Sequence, residues 1–190
     1  MEPKHIDANI ACFGTLSLAL EPGASRYAEL LKQFAANGTL VALDPNIRPI
    51  YATDAHREFL MSLLPYVNLL KLSDEEVEFL GEEALTKVPA AVITRGGDGL
   101  TLLADGNRID VPAVNANVVD TIGAGDTIMG ALLAQIEERG LTAADLTSVS
   151  PDQWREILHY AAAAAAITVS RKGAQPPTKT EVEELLAKDS

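Results

Sequence analysis

Apolar and polar positions alternate along this chain in two distinct patterns. Short runs rich in β-branched residues, typical of buried strands, recur between longer stretches whose apolar residues are three or four positions apart, the spacing of an amphipathic helix. Strands are predicted at 9–13, 39–43, 67–72 and 90–94. Helices are predicted at 24–36, 53–64 (capped by Thr53), from Asp74 (capped by Ser73), at 124–139, at 150–170, and in a small final segment marked by Thr180 and Glu183.

The turns between these segments indicate how the strands are arranged. Asp105-Gly106 separates two strand patterns, 100–104 and 108–111, and a two-residue Asp-Gly connection is typical of an antiparallel hairpin. Elsewhere strands and helices alternate, which favours a doubly wound, mostly parallel sheet with its ligand crevice at the carboxyl ends of the strands. No repeat or linker interrupts the pattern, so residues 1–190 are predicted to form a single α/β domain.

Composition narrows the class of protein. The 190 residues include 27 acidic and 15 basic side chains, a net charge of −12, which argues against nucleic acid or an anionic membrane as the main partner. The longest uncharged apolar stretch, 160–169, is too short to span a bilayer. Cys12 is the only cysteine, which excludes an intramolecular disulfide, and we expect it to be buried. The first ten residues lack the pattern of a signal peptide, so we expect a cytoplasmic protein.

The most informative segment is DTIGAGD, which runs from Asp120 to Asp126. Its two glycines allow the backbone to turn sharply and approach a ligand just before an amphipathic helix begins. The unpaired N–H groups and the positive dipole of a helix start make an anion site. Asp126, in the first turn, could accept a proton from a hydroxyl that attacks a bound phosphate. Equally, Asp126 could only stabilise the helix dipole, and the glycines could form a plain turn.

Three other candidate motifs have structural explanations of similar weight. The segment 96–99, GGDG, is a glycine-rich turn of a common kind. Ser73-x-x-Glu76 fits a capping box, which by itself accounts for the glutamate. Asp44 and Arg48 follow a predicted strand and could be a turn acid and a surface base, or could line a crevice. The chain has no P-loop string, so a P-loop NTPase is not supported.

Taken together, these segments resemble the ribokinase-like (PfkB) carbohydrate kinases. DTIGAGD is similar to the C-terminal signature of that family, and further matches follow in the family's order: Asp44-Pro45-Asn46-x-Arg48, Lys71-Leu72-Ser73-x-x-Glu76, Ile93-Thr94-x-Gly96-x-x-Gly99 and Ser170-Arg171-Lys172-Gly173-Ala174. The resemblance covers about residues 10–177 and is closest to the fructokinase and 2-keto-3-deoxygluconate kinase branches. It implies a three-layer α/β/α fold and transfer of the ATP γ-phosphate to a sugar hydroxyl.

The resemblance also implies a role for each matching residue around the nucleotide. Asp126 would be the general base. The backbone N–H groups that form an anion hole for the transferred phosphoryl group would be those of Gly123, Ala124 and Gly125. The residues that line the nucleotide cleft would be Thr94, Gly96, Gly99 and Thr121.

Metal and sugar sites are implied in the same way. Glu76 would organise Mg²⁺ through water, although Ser73 stands where the family usually has Asn. Asp120 and Ile122 resemble the monovalent-cation (K⁺) site of some members. The matching string after the second strand implies sugar contacts by Asp44, Asn46 and Arg48.

The start of the chain departs from the family pattern. Family chains carry a substantial segment before the equivalent of Asn9, and this segment supplies the first strands, a sugar-binding acid and the lid. Nothing here corresponds to it, so we expect those strands and the lid to be missing, a sheet edge to be exposed, and a homo-oligomer or a complementing chain. Two alternatives stay open: a noncatalytic nucleotide-binding remnant or regulatory module, and a plain α/β domain with a structural glycine loop.

Overall fold

The computed structural model describes residues 8–189. The strands in this part of the chain are β1 (Ile10–Gly14), β2 (Leu40–Asp44), β3 (Leu69–Ser73), β4 (Ala90–Thr94), β5 (Leu100–Ala104) and β6 (Asn107–Val111). Its α-helices are α1 (Gly23–Ala36), α2 (Asp54–Leu63), α3 (Asp74–Leu80), α4 (Ala124–Glu138), α5 (Pro151–Val169) and α6 (Lys179–Asp189). Short 3₁₀ turns lie at Thr15–Leu18, Pro49–Tyr51, Leu64–Tyr66, Glu82–Ala84, Gly96–Asp98 and Asp145–Thr147.

Packing divides these residues into two compact units, of which the first comprises residues 8–91 and 142–147. Its strands follow the order β1-β2-β3-β4, with β1, β2 and β3 parallel. Every residue of β2 is buried, as expected for a parallel strand covered on both faces. Strand β1 is at the edge and pairs with β2 alone among the described strands. The assignment of residues 1–190 to a single domain stays a prediction.

The helices of the first unit begin where local chemistry places them. The Thr53 hydroxyl accepts a hydrogen bond from the His56 amide at the start of α2, and Ser73 forms a reciprocal capping box with Glu76 at the start of α3. Helix α1 buries the positions that share one face, including Phe34, whose ring lies edge-on to that of Phe13 in β1. The caps at Thr53 and Ser73 and the apolar face of α1 were predicted from the sequence.

The second unit comprises residues 92–141 and 148–189, and its strands follow the order β4-β5-β6. Strands β5 and β6 are antiparallel, and the connecting Asp105 and Gly106 both have positive φ, +49° and +71°. Positive φ at both central residues is the requirement of a type I′ hairpin turn. The predicted hairpin is therefore confirmed.

Helices α4 and α5 pack against each other in this unit, with the Thr127 and Thr168 hydroxyls 3.0 Å apart. A capping box of Ser150 and Gln153 opens α5, which buries Trp154 and much of its alanine run. The predicted α/β class is confirmed, and the predicted elements lie within two residues of the observed ones. None of the helices between residues 8 and 189 is long and apolar enough to cross a membrane. The first seven residues, which bear on the signal-peptide expectation, lie outside the described part.

The small final helix marked by Thr180 and Glu183 is confirmed as α6. Both residues lie inside it, and the bonds at its start are made by Thr178 and Glu181. One expectation about an individual residue is wrong. Cys12 is exposed rather than buried, since side chains alternate along a strand and its neighbour Phe13 occupies the packed face of β1.

Candidate functional site

The turn before α4 requires glycine at one position. Gly123 caps the helix with a φ of +81°, in the left-handed region that other residues adopt only with strain. A Cβ built on Gly123 would lie 2.9 Å from the Cβ of Ala174, closer than carbon atoms pack. The glycine thus meets two needs, a backbone conformation and the close approach of the segment after α5.

Asp120 links the turn before α4 to the segment that follows α5. Its Oδ1 accepts a hydrogen bond from the Ile122 amide at 3.0 Å, and its Oδ2 accepts one from the Gly173 amide at 2.9 Å. The amides of Val119 and Asp120 both donate to the carbonyl of Val169 at the end of α5. The Ile122 amide, and then the Gly173 amide, hold the pKa of Asp120 below its ordinary value by stabilising the carboxylate.

The first turn of α4 presents backbone amides that the protein does not use. The Ala124 amide donates to the Thr121 carbonyl at 3.3 Å, and the Thr127 amide donates to the Gly123 carbonyl at 2.9 Å. Within residues 8–189, the amides of Gly123, Gly125 and Asp126 have no acceptor. Unpaired amides at the positive end of a fifteen-residue helix are able to bind an anionic group.

A cavity of about 410 Å³ opens beside these amides, a size that suits a small-molecule ligand. Its wall includes all four residues predicted to line a nucleotide cleft, namely Thr94, Gly96, Gly99 and Thr121. Ala124 and Gly125 of the helix start also line it. Gly123 and the exposed Asp126 line a second cavity, of about 520 Å³, formed with α5 and the residues around α6. The structure therefore brings together the glycine motifs that lie almost thirty positions apart in the sequence.

Gly99 positions one wall of the first cavity. A Cβ on this residue would lie 2.1 Å from the carbonyl oxygen of Val111, so only glycine lets the end of β6 come this close. The chain then continues along the cavity through Ala113–Ala116 and Val118. Sequence reasoning did not identify this loop as part of a site, because it carries no motif and its residues are mostly small and apolar.

The alanine run of α5 forms another part of the cavity wall. Ala162, Ala165 and Ala166 line the cavity, and their i, i+3, i+4 spacing puts them on one face of the helix. Ala161 and Ala163 are completely buried instead. The alanine run therefore both packs in the core and lines the cavity.

The acid at the end of β2 has a different environment. Asp44 is 8% exposed and its Oδ2 lies 2.9 Å from the Nζ of Lys71, which is 5% exposed. From the sequence, Asp44 could be a turn acid at the surface or could line a crevice. Neither alternative included the buried ion pair that the structure shows. No role was assigned to Lys71 from the sequence, although it belongs to the Lys71-Leu72-Ser73-x-x-Glu76 string. A lysine within a strand predicted to be buried could have indicated an ion pair.

Glu76 holds two segments of the first unit together. Its Oε2 accepts the Ser73 amide at 2.8 Å in the capping box, and its Oε1 accepts the Ile47 amide at 2.7 Å. The capping-box interpretation is confirmed. The hydrogen bond from Ile47, twenty-nine positions away, holds the loop after β2 in place. The sequence did not predict this contact.

Asn46 and Arg48, also in that loop, are less constrained. Asn46 has a φ of +48°, and its carbonyl accepts a hydrogen bond from the Tyr51 hydroxyl at 2.8 Å. Arg48 is exposed. Across residues 8–189, no group of three or more His, Cys, Asp or Glu side chains is arranged to hold a metal ion.

Known proteins are similar to this chain over most of its length. A family model described as "pfkB family carbohydrate kinase" matches residues 7–181. This chain belongs to the pfkB family. Fructokinase-2 of Zea mays is 31% identical to it over 196 residues, which make up 95% of this chain and 57% of that protein. The chain spans 54% to 58% of the length of the curated relatives that it matches first.

Solved structures of pfkB relatives confirm the ribokinase-like fold. The crystal structure of a fructokinase with bound ATP from Xylella fastidiosa superposes with a TM-score of 0.88, at 24% identity, over 96% of this chain and 62% of that one. An uncharacterized sugar kinase from Pyrococcus horikoshii, in complex with ATP, superposes with a TM-score of 0.77, at 26% identity, over 94% of this chain and 60% of that one.

Proposed function

We propose that this chain supports transfer of the γ-phosphate of ATP to a hydroxyl group of a fructose-like sugar or a keto-sugar acid. Membership of the pfkB family supports the reaction class. The relatives named fructokinase support the fructose-like acceptor, and the neighbours described with ATP support the donor. The observation that carries the proposal is the 410 Å³ cavity that reaches the start of α4 at Ala124 and Gly125, beside the unpaired amides.

The proposed chemistry follows from the first turn of α4. Amides of Gly123 and Gly125 have no protein acceptor and would stabilise the negative charge that develops on the transferred phosphoryl group. The Ala124 amide would join them by exchanging its Thr121 acceptor for a phosphate oxygen. Asp126 lies exposed in the same turn and would take the proton of the attacking sugar hydroxyl.

Divalent and monovalent cations enter this proposal differently. Mg²⁺ binds mainly to nucleotide phosphates and water, so a site without a carboxylate cage is compatible with it, and it would offset phosphate charge during transfer. Glu76, whose two oxygens each accept one amide, would act on Mg²⁺ through water, because Mg²⁺ keeps most of its water shell. Each oxygen of Asp120 accepts one amide and keeps a second lone pair, so Asp120 and Ile122 stay candidate residues for a K⁺ site, and we route no step through a monovalent cation.

The loop after β2 supplies the proposed sugar contacts. Asn46 and Arg48 offer an amide and a guanidinium that are not buried, and these groups suit sugar hydroxyls or an acid group. Asp44 would take part less directly, because it neutralises the buried Lys71 beside this loop. A cytoplasmic location and a homo-oligomer or complementing chain remain our expectations.

Sugar-dependent formation of ADP from MgATP tests the proposed reaction. With fructose or 2-keto-3-deoxygluconate as acceptor, we expect Asp126→Asn to reduce turnover by about 10²–10⁴-fold, because the general base is lost. ATP affinity should stay within about threefold, since Asn keeps the shape of the side chain. Turnover of Asp126→Asn at the unmodified rate would exclude Asp126 as the base.

A second candidate function is nucleotide binding without transfer, as a remnant or regulatory module of the same fold. The unpaired amides of α4 and the cavity beside them would serve binding alone equally well. The two candidates differ in one measurement. Calorimetric binding of ATP without ADP formation for any sugar supports the binding module, whereas sugar-dependent ADP formation supports the kinase.

A further inference from the structure

The unused amides at the start of α4 lie between two attachments to α5 and the segment that follows it. On the side before the amides, the carboxylate of Asp120 accepts a hydrogen bond from the Gly173 amide at 2.9 Å. On the side after them, the hydroxyl of Thr127 lies 3.0 Å from that of Thr168 in α5. The intervening segment contains two glycines, which are free to adopt many backbone conformations unless both ends are held.

The hydrogen bond between the two threonines has a defined direction. The Thr168 hydroxyl donates to the carbonyl of Ala164, one turn earlier in α5, at 3.2 Å. Because a hydroxyl has a single proton, Thr127 is then the donor of the 3.0 Å bond and Thr168 its acceptor. Thr168 is completely buried. A hydrogen bond requires a particular direction of approach, so this pair can fix the rotation of α4 about its axis, whereas apolar contacts mainly fix the distance between helices.

Thr127 is joined directly to the groups that the proposed reaction uses. It follows Asp126 in the chain, and its amide donates to the carbonyl of Gly123 at 2.9 Å, a bond that closes the first turn of α4. A rotation of Thr127 about the helix axis would therefore move the carboxylate of Asp126 and the unused amides together. A displacement of about 1 Å in reacting groups can lower a rate by about 10²-fold.

The same two helices are joined near their other ends by a bond of a different kind. Arg139, directly after α4, lies 3.2 Å from Glu156, near the start of α5. Glu156 is exposed, and an exposed ion pair contributes little and holds two long side chains only loosely. The ion pair is about 18 Å from Thr127 along the helix, at 1.5 Å per residue. It provides a matched control, because it connects the same helices away from the first turn.

We infer that Thr127 and Thr168 are positioning residues for phosphoryl transfer, because their hydrogen bond sets the orientation in which α4 presents Asp126 and its unused amides. The inference rests on the proposed function. The described residues that line the 410 Å³ cavity include neither threonine. Thr168 acts through Thr127, and Thr127 acts through the backbone of α4. Loss of such an interaction lowers kcat and leaves binding of the nucleotide in its ground state nearly unchanged.

Sugar-dependent ADP formation by Thr168→Val tests the inference, because valine keeps the branched shape of threonine and lacks the hydroxyl. With rates expressed per folded molecule from circular dichroism, we expect kcat to fall by about 10- to 100-fold and the KM for ATP to stay within about threefold. Thr168→Ser keeps the hydroxyl and should retain kcat within about threefold. Glu156→Gln, which weakens the ion pair at the other end, should leave kcat within about twofold. Equal losses for Thr168→Ser and Thr168→Val would assign the effect to packing and overturn the inference.

A double variant shows whether the two hydroxyls act as one unit. Thr127→Val should lower kcat as much as Thr168→Val, and the double variant should lower it no further, since each change removes the same bond. If Thr168→Val does not fold, Thr127→Val, at a half-buried position, provides the same test. A loss of kcat below about tenfold in the folded single variants, or losses that multiply in the double variant, would overturn the inference and leave the proposed kinase intact. Absence of ADP formation by the parent chain would overturn the proposed transfer and this inference with it.

Discussion

Two aspartates at the junctions of secondary structure differ in their surroundings. Asp44, at the end of β2, is buried and bonded to the ammonium group of Lys71. Asp126, in the first turn of α4, is exposed, and no ion pair or side-chain hydrogen bond is found for it among residues 8–189. A buried charge must have its partner to be tolerated, so the first pair serves the fold. An acid beside unused amides is available to a ligand, which agrees with the role proposed for Asp126 as a general base.

The largest effect that would test this contrast is on stability. Lys71→Met leaves the carboxylate of Asp44 buried without its cation, and we expect it to lower the free energy of unfolding by about 3–5 kcal/mol in urea titrations. Asp126→Asn, which loses only a favourable dipole contact, should cost less than about 1 kcal/mol. The double variant Asp44→Asn, Lys71→Met should recover part of the loss. Equal costs for Lys71→Met and Asp126→Asn would remove the distinction between the two acids.

Two glycines at α4 provide a test with an effect of intermediate size: Gly123, before the helix, and Gly130, inside it. Gly123→Ala forces a side chain into a left-handed conformation and against Ala174, and we expect it to cost about 1–3 kcal/mol and to weaken ATP binding. Gly130→Ala, inside the same helix with open space at its Cβ, should stabilise by about 0.5–1 kcal/mol. Chemical denaturation and ATP titration of both variants give the comparison. A stabilising Gly123→Ala with normal ATP binding would contradict the role assigned to the turn.

The smallest effect concerns acid stability. The pKa of Asp120 is lowered in the folded chain, so its contribution is complete above the unfolded pKa and is lost as the pH falls through the folded pKa. Between about pH 6 and pH 3, the unfolding free energy of Asp120→Asn should therefore fall less steeply than that of the parent chain. Above about pH 6 the two profiles should be parallel. Identical slopes throughout would show that the amides of Ile122 and Gly173 do not stabilise the carboxylate.

Much of the second unit's candidate site could be predicted because its signals are local. The two glycine segments, the hairpin and the start of α4 are each specified within about ten residues, by turn chemistry and helix capping. The wall of the cavity around Asn115 was missed, because an apolar loop without a motif has no local signature. Its position follows from Gly99, which admits the backbone of Val111 to within contact distance.

The first unit's cluster was harder to interpret for the same reason. Ser73 and Glu76 are three residues apart and form the predicted capping box. The partner that Glu76 finds in Ile47, and the partner that Asp44 finds in Lys71, lie on neighbouring strands or the loops that follow them. The spacing of residues along the chain does not predict such pairs. For this reason the sequence was compatible with Asp44 as a turn acid, as a ligand acid or as part of a buried ion pair.

Local interactions, which act over a few residues and need no neighbours, were enough to specify the α/β alternation, the caps of α2, α3 and α5, and the glycine turn before α4. Packing between distant segments specified which acids are buried, which alanines face the cavity and which amides stay unused. Burial and pairing are properties of surfaces brought together by the fold. The different environments of Asp44 and Asp126 are therefore set by the assembled strands and helices and not by the local sequence.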